Sequence, residues 1–430
     1  MDAPDDDQAV TRRQVLGSAA GLTATAAWTG TATAAGRPAA ARSAVATPTV
    51  MTQNAYVGVD LSRLLSARSV ADVKRIAGDF LAEVDPAVYA ARADAIAAQI
   101  DASGADVVAL QEAATLRTQR PGDFGSDSPE PATNVVVDLP TLLTSALADR
   151  GLEYDLVVSA VTTDVELPAE TDGGPVDVRI TDRDALLVRS DLETDSPETD
   201  TYDAAVSVPI PASDRDLTVG RGYCAADVTM DGVTFRAVST HLESAVGLLR
   251  RQQAAELLDS LSTDRPVLLA GDFNSGPGAD TATYDRLTES FRDPYTVLDP
   301  DSQGDTCCQQ ADLENEGSQL DHRVDGILYR GDVQPTAVGR VGHRPEDRVA
   351  VETGDGTVEI WPSDHAGVVG TFEVSAATST AMPSATSAPE PETTGRSTTQ
   401  TTVGGAGPGF GLLAAVVGLG LGAAARIRRK

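Results

Sequence analysis

The sequence predicts an α/β fold in which two packed sheets are flanked by helices. Three observations carry this. Short apolar runs bounded by turn residues recur through both halves of the chain, at 49–55, 106–110, 154–159, 185–189, 223–230, 233–240, 267–270, 324–329 and 367–374. Helical spacing is confined to 61–80, 86–102, 140–149 and 245–261. The two halves alternate these elements in a similar way without a short-period repeat. Strand-rich halves with a few covering helices bury their apolar faces best as two packed sheets with helices outside.

The elements follow in order. The run from Thr49 to Ala55 reads as a strand, and Leu61 to Phe80 as an amphipathic, helical insertion. Pro86 to Ala102 is Ala-rich with apolar residues at helical spacing, stopped by Ser103-Gly104. Asp106 to Leu110 is a buried strand, and Pro140 to Asp149 a helix. The runs at 154–159 and 185–189 are short strands, and Asp231-Gly232 is a hairpin turn between the strands at 223–230 and 233–240. Ala245 to Leu261 is a helix, and Val267 to Ala270 a buried strand that Gly271 ends. Val324–Tyr329 and Gly367–Val374 complete the set.

Both ends read as addresses. Residues 1–35 hold Arg12-Arg13 before a small-residue apolar stretch and an Ala32-Thr33-Ala34 cleavage site, which resembles a twin-arginine export signal. Residues 36–47 read as a linker, and 48–374 as one domain. Residues 375–407 are a Ser/Thr/Pro-rich stalk. Residues 408–430 run from Pro408-Gly409-Phe410 through an apolar segment to a basic end, similar to the sorting tail of archaeal surface proteins; a retained membrane anchor is the alternative. Either places the protein outside the cell, at its surface.

The formal charge is −31, with Lys+Arg 33 against Asp+Glu 64, and Lys74 and Lys430 are the only lysines. An acidic, lysine-poor surface fits a halophilic source, where a Debye length of ~3 Å at about 1 M salt screens self-repulsion. In dilute buffer such a charge opposes nucleic-acid binding; in brine it does so far less. Cys224, Cys307 and Cys308 are an odd count and form no disulfide framework. One bridge from Cys224 to either neighbour and three ordinary thiols both remain open. No Cys/His spacing suggests structural zinc.

Six polar clusters each sit where an apolar run meets a loop: Asn54; Glu112; His241; Asp272 with Asn274; Asp325; and Asp364 with His365. Loops on a rigid sheet are where chemistry is carried. His322 and His343 receive no role.

Together the motifs Gln53-Asn54, Leu110-Gln111-Glu112, Ser239-Thr240-His241-Leu242, Gly271-Asp272-Phe273-Asn274, Arg323-Val324-Asp325 and Ser363-Asp364-His365 resemble those of the endonuclease/exonuclease/phosphatase superfamily, in its order. Asn54 to Leu61 and Thr306-Cys307-Cys308-Gln309 look like features of a less characterised extracellular branch. Gly326 departs from the pattern, since many members carry a bulky residue there. The resemblance implies a DNase-I-like, four-layer α/β/β/α sandwich and metal-dependent phosphodiester hydrolysis. A hard divalent cation, Mg²⁺ or else Mn²⁺ or Ca²⁺, would sit on Asn54, Glu112 and Asp364. Asp325 would fix the tautomer of His365 for a general-base role, while Asp272 positions or activates the nucleophile; base duty stays open between His365, Asp272 and the ion. His241, if protonated, and Asn274 would donate to the pentacovalent oxyanion. Arg183 and Arg221 precede strands and offer bidentate donors to phosphate.

The first expectation is a surface-held nuclease. A phospholipid or small-phosphoester hydrolase of sphingomyelinase type is the alternative, and an inactive binding domain the third reading. No protein partner is inferred.

Overall fold

Side-chain alternation sorts the strands into two sheets. The computed structural model describes residues 44–376, except 210–215, 262–263, 279 and 355, together with 426–427. The export signal, linker residues 36–43, stalk residues 377–407 and the C-terminal tail apart from Arg426–Ile427 lie outside the described residues. No helix among the described residues is long and apolar enough to cross a membrane.

In chain order the elements are β1 (Val45–Ala46), β2 (Thr49–Asn54), α1 (Val70–Glu83), α2 (Pro86–Ser103), β3 (Val107–Gln111), β4 (Thr115–Gln119), β5 (Asn134–Asp138), α3 (Leu139–Asp149), β6 (Tyr154–Thr171), β7 (Gly174–Arg189), β8 (Glu193–Thr201), β9 (Ala204–Pro209), β10 (Asp216–Val219), β11 (Gly222–Met230), β12 (Val233–His241), α4 (Gly247–Ser260), β13 (Val267–Asp272), α5 (Thr281–Thr288), α6 (Tyr295–Leu298), β14 (Asp325–Arg330), β15 (Val333–Val341), β16 (Val349–Thr353), β17 (Gly356–Ile360), β18 (Gly367–Ser375) and β19 (Arg426–Ile427).

One sheet runs β1-β18-β2-β3-β7-β4-β5, with β15 added to β18 and β6 to β7. The second large sheet runs β14-β13-β12-β11-β8, and β10-β9-β19 and β16-β17 form two smaller sheets. Val107, Ala109 and Leu186 of the first sheet share a core with Phe235, Ala237, Leu268 and Ile327 of the second. The alternate residues Val108, Leu110 and Leu187 face helices α1, α2 and α3, and Val238, Leu269 and Leu328 face α4 and α5. Period-two burial on both faces of both sheets gives the four-layer α/β/β/α sandwich.

Local chemistry sets the element ends. The Ser69 hydroxyl accepts from Asp72 N at 3.1 Å and starts α1. Asp85 and Pro86 start α2, and Gly104, at φ +62°, ends it.

Several boundaries differ from the sequence reading. The stretch 61–80 is a 3₁₀ turn at Leu61–Ser66 followed by α1, because Ser69 caps a fresh helix. The short strands at 154–159 and 185–189 are the base of the long β6–β7 hairpin, whose acidic and threonine-rich arm hides its period. β13 runs on through Gly271 to Asp272. Gly271 is there for close approach: a Cβ would stand 2.2 Å from the Thr240 carbonyl oxygen of β12. The linker is shorter than expected, since Val45 and Ala46 already pair with β18. β8, reading Glu-Thr-Asp-Ser-Pro-Glu-Thr-Asp-Thr, is exposed throughout and carries no apolar signal; its carboxylates suit an edge strand that must not recruit another.

Candidate active site

The polar clusters converge because parallel neighbours end together. β2 and β3 are parallel, with Asn54 opposite Gln111. β12 and β13 are parallel, with His241 opposite Asp272, and Asp272 is opposite Asp325 of β14. Sheet packing then sets the ends of the two parallel pairs against each other. Asn54 Nδ2 donates across the gap, to Glu112 Oε1 at 3.2 Å and to Asp272 Oδ2 at 3.1 Å.

The loops here are forced into sparsely populated backbone. Tyr56, Glu112 and Asn274 have φ of 57°, 53° and 47°. Such left-handed non-glycine residues cost roughly 1–3 kcal/mol each and persist where surroundings over-determine them. Those surroundings are visible. Val57 N donates to Glu112 Oε2 at 2.8 Å, Tyr56 N to Asn54 Oδ1 at 2.9 Å, and Asn274 N to Asp272 Oδ1 at 2.8 Å.

Asn54 thus departs from the carbonyl-ligand expectation: its oxygen faces the Tyr56 amide, and its NH₂ bridges two carboxylates. Glu112 and Asp364 lie close enough to repel: Asp364 is raised above the ordinary carboxylate range by burial and by Glu112, despite His365. Asp182, which the sequence reading did not single out, joins them, raised by burial and by Glu112 and lowered by Arg221.

His365 Nδ1 lies 2.8 Å from Asp325 Oδ2, and its Nε2 3.9 Å from Asp272 Oδ2. Burial opposes its charging, but Asp325, Asp364 and Asp272 together raise its pKa well above the ordinary histidine value. His241 is the reverse. Arg221 Nη1 lies 3.1 Å from its Nδ1. Arginine has no acceptor, so Nδ1 accepts and Nε2 carries the hydrogen, facing Asp272 Oδ2 at 3.3 Å. Burial, then Arg221 and His365, push its pKa well below the usual value. The two rings are therefore shifted in opposite directions, His365 upward and His241 downward. The physical reason is their neighbours, three carboxylates for one and a guanidinium for the other.

Asn274 Nδ2 donates to the Leu242 carbonyl at 2.9 Å and lies 3.0 Å from His241 Nε2. Asp272 is raised by burial and by Asp325, against His365, the Asn274 amide and Asn54.

The two arginines separate. Arg221 lines the cleft with Glu112, Asp182 and Asp364. Arg183 does not: it lies within β7, and its guanidinium donates to Thr115 Oγ1 at 2.9 Å and to the Thr181 carbonyl at 3.3 Å. The expectation that it precedes a strand and reaches phosphate fails because β7 begins nine residues earlier, at Gly174.

Positioning residues were missed as well. Arg92 is buried in α2, sits over the Tyr56 and Tyr89 rings at 5.3 and 5.0 Å, and donates to the carbonyls of Ala55, Tyr56 and Pro362. It ties the loop after Asn54 to the loop before Asp364. Its place on the stripe of Tyr89, Ala93 and Ile96 was readable as an arginine on an apolar face. Gln111 donates to Ser239 Oγ at 2.9 Å, linking the two sheets beneath the site. Thr306 Oγ1 accepts from Val324 N and Asp325 N, both at 3.0 Å. At Gly326 a Cβ would meet Phe273 at 3.5 Å, so that ring covers the space behind Asp325.

Cys307 and Cys308 are paired with each other, and Cys308 Sγ lies 3.7 Å from His365 Nε2. Cys224 is free and buried between the sheets, which removes the bridge from Cys224 considered above.

The donor set fits a hard divalent cation. Glu112, Asp182, Asp272, Asp325 and Asp364 concentrate negative charge that Arg221 and His365 only partly offset, and buried Asp325 Oδ1 has no hydrogen-bond partner. Oxygen-rich, charge-rich sites of this kind suit Mg²⁺, Mn²⁺ or Ca²⁺.

The chain is similar to several solved structures. An endonuclease/exonuclease/phosphatase family protein from Bacteroides thetaiotaomicron is 15% identical, with 77% of this chain and 98% of that chain covered and a TM-score of 0.46. Truncated TDP2 from Caenorhabditis elegans is 15% identical over 76% and 97%, at 0.43. The mannosyl-6-phosphatase Bt3783 of Bacteroides thetaiotaomicron VPI-5482 is 16% identical over 76% and 99%, at 0.45. No curated protein matches. The family model for the Endonuclease/Exonuclease/phosphatase family matches residues 51–365, which span the whole constellation, and the chain belongs to that family, whose members are phosphoester hydrolases.

Proposed function

We propose that this protein is a divalent-metal-dependent phosphodiesterase. The observation that carries the reading is the meeting of Glu112, Asp272, Asp364 and His365 around Asn54, from segments 58 to 311 residues from Asn54 in the chain. Glu112 and Asp364 would hold the ion, with Asn54 keeping Glu112 and Asp272 together. The bound ion supplies charge neutralisation at the phosphoryl oxygens.

The chain's own groups do the rest. Asp272, a carboxylate with a raised pKa, accepts the proton of the attacking water; raising a carboxylate toward working pH makes it a better base. The His365 imidazolium, oriented by Asp325, donates to the phosphoryl group at Nε2. Neutral His241 keeps Asp272 in place through Nε2–H, and Asn274 ties the loop after Asp272 to the Leu242 carbonyl. Arg221 offers its guanidinium to the phosphate from the cleft side.

The nuclease expectation draws its support from the family description, which names nucleases beside phosphatases. Export and surface anchoring are part of the proposal, and the twin-arginine motif at Arg12-Arg13 and the tail at 408–430 support them.

Purified protein in high salt with Mg²⁺, Mn²⁺ or Ca²⁺ is expected to hydrolyse bis(p-nitrophenyl) phosphate, to stop in excess EDTA, and to lose activity in Asp272→Asn. Full activity in EDTA overturns the metal role, and unchanged activity in both Asp272→Asn and His365→Ala overturns the site.

A further inference from the structure

The Thr306-Cys307-Cys308-Gln309 turn brings two sulfurs that the chemistry described above does not use, and it lies against the ring of His365. Cys308 Sγ is 3.7 Å from His365 Nε2. Cys307 is buried and Cys308 half-buried. The two sulfurs and the ring present ligand atoms close enough together for one ion to reach all three. Cys308 and His365 are 57 residues apart in the chain, so spacing alone does not show the cluster.

Backbone hydrogen bonds hold the pair there. Gln309 N donates to the Asp364 carbonyl and Ala366 N to the Thr306 carbonyl, both at 2.8 Å. On the other side, Cys307 N donates to the His322 carbonyl at 3.0 Å and Asp321 N to the Cys307 carbonyl at 2.9 Å. The turn is clamped between the segments that carry His365 and Asp325. None of these contacts involves a sulfur, so reduction of the pair leaves two thiols against the ring.

Ligand chemistry names the occupant. Two thiolates and an imidazole suit a thiophilic cation such as Zn²⁺, whereas Mg²⁺ and Ca²⁺ take oxygen ligands. A metal-bound histidine characteristically gives its other N–H to a carboxylate, which fixes the ring. Asp325 Oδ2, 2.8 Å from Nδ1, already stands in that place.

We propose that Cys307, Cys308 and His365 Nε2 form an inhibitory site for a thiophilic divalent cation, open only when the cysteine pair is reduced. The inhibition rests on the phosphodiesterase reading, because the bound ion takes the nitrogen that donates to the phosphoryl group; the binding does not. A two-electron reductant such as a phosphine opens the pair. The S–S bond breaks, each sulfur gains a hydrogen from water, and the phosphine takes the water oxygen to become its oxide. The cation then forms two bonds to sulfur and one to Nε2, releasing one proton from each thiol and the Nε2 proton of the imidazolium. Nδ1–H stays on Asp325.

The test uses Cd²⁺ as the probe, with the full chain in concentrated sodium sulfate, because chloride binds Cd²⁺. Protein reduced with a phosphine and desalted without air is compared with untreated protein. The reduced form is expected to bind Cd²⁺ with the ultraviolet thiolate-to-cadmium charge-transfer band. The untreated form keeps Cys224 as its thiol and is expected to lack the band. Reduced Cys307→Ser and Cys308→Ser are each expected to bind at least about a hundredfold more weakly, and His365→Ala at least about tenfold, since loss of even a supporting group costs about 10–100-fold. With Mg²⁺ and bis(p-nitrophenyl) phosphate, the Cd²⁺ concentration that halves the rate is expected to be at least about tenfold lower for reduced than for untreated protein. No band in reduced protein, a band unchanged in either serine variant, or unchanged affinity in His365→Ala overturns the site. Equal Cd²⁺ sensitivity of the two forms overturns the inhibition. Absence of hydrolysis in both forms instead removes the phosphodiesterase reading, and the band still decides the site.

Discussion

His365 Nδ1 lies 2.8 Å from Asp325 Oδ2, and both are buried at the point where the last strand meets the second sheet. The pair orients the ring and helps keep it charged. Asp325→Asn is expected to lower kcat by about 10²–10³, the usual cost of one transition-state donor. The alkaline limb of the pH–rate profile is expected to move to lower pH, because the raised pKa of His365 rests partly on that carboxylate. An alkaline limb unmoved in Asp325→Asn contradicts the imidazolium role.

The ion-free protein is expected to lose stability as pH rises. Asp182, Asp272 and Asp364 are raised above the ordinary carboxylate value, so the folded state binds more protons than the unfolded chain above that pH. His365, raised above 6.5, adds the same sign above that value. His241, lowered, works against them below 6.5. A divalent cation offsets the carboxylate repulsion. The rise in Tm on adding Mg²⁺ is therefore expected to be larger at pH 8 than at pH 5, with about 2.7 kcal/mol available at a hundredfold excess over Kd. Glu112→Gln is expected to abolish most of that rise. Thermal scans with and without EDTA read both.

Arg221 and Arg183 make a paired control. Arg221→Ala removes a cleft cation and frees His241 Nδ1. A charged hydrogen bond of this kind is worth roughly 1.5–3 kcal/mol, so kcat/KM is expected to fall by about ten- to a hundredfold. Arg183→Ala, whose guanidinium meets Thr115 and Thr181, is expected to stay within about twofold in kcat/KM. Equal effects in the two variants are the result that contradicts this placement.

Thiol titration checks the cysteine arrangement. Denatured, unreduced protein is expected to show one reactive thiol, Cys224, and reduced protein three. Cys224→Ala is expected to remove the single signal. Three thiols before reduction contradict the Cys307–Cys308 pairing.

Residues carrying chemistry at strand ends were legible because their signal is local. An apolar run followed by Asp272-Phe273-Asn274 or by Glu112 declares itself within a few residues, and strand pairing then does the rest. Arg92, Asp182 and Gln111 were not legible in the same way. Each is a polar residue whose role is defined by partners far away: Arg92 by carbonyls at Ala55 and Pro362, Gln111 by Ser239 in the opposite sheet. The β6–β7 arm and β8 escaped notice because threonine- and acid-rich strands lack the apolar period that betrays a buried one.

The sequence by itself determined the two-sheet α/β class, the family motifs in their order, and which side chains stand at the mouths of strands. Those follow from hydrophobic period and turn chemistry, which act over a few residues. Only the tertiary structure decided that the pKa of His365 is raised and that of His241 lowered, and that Arg221 faces the cleft while Arg183 does not. Protonation and pocket lining are set by desolvation and by charges within a few ångströms, and the chain brings those neighbours together from positions hundreds of residues apart.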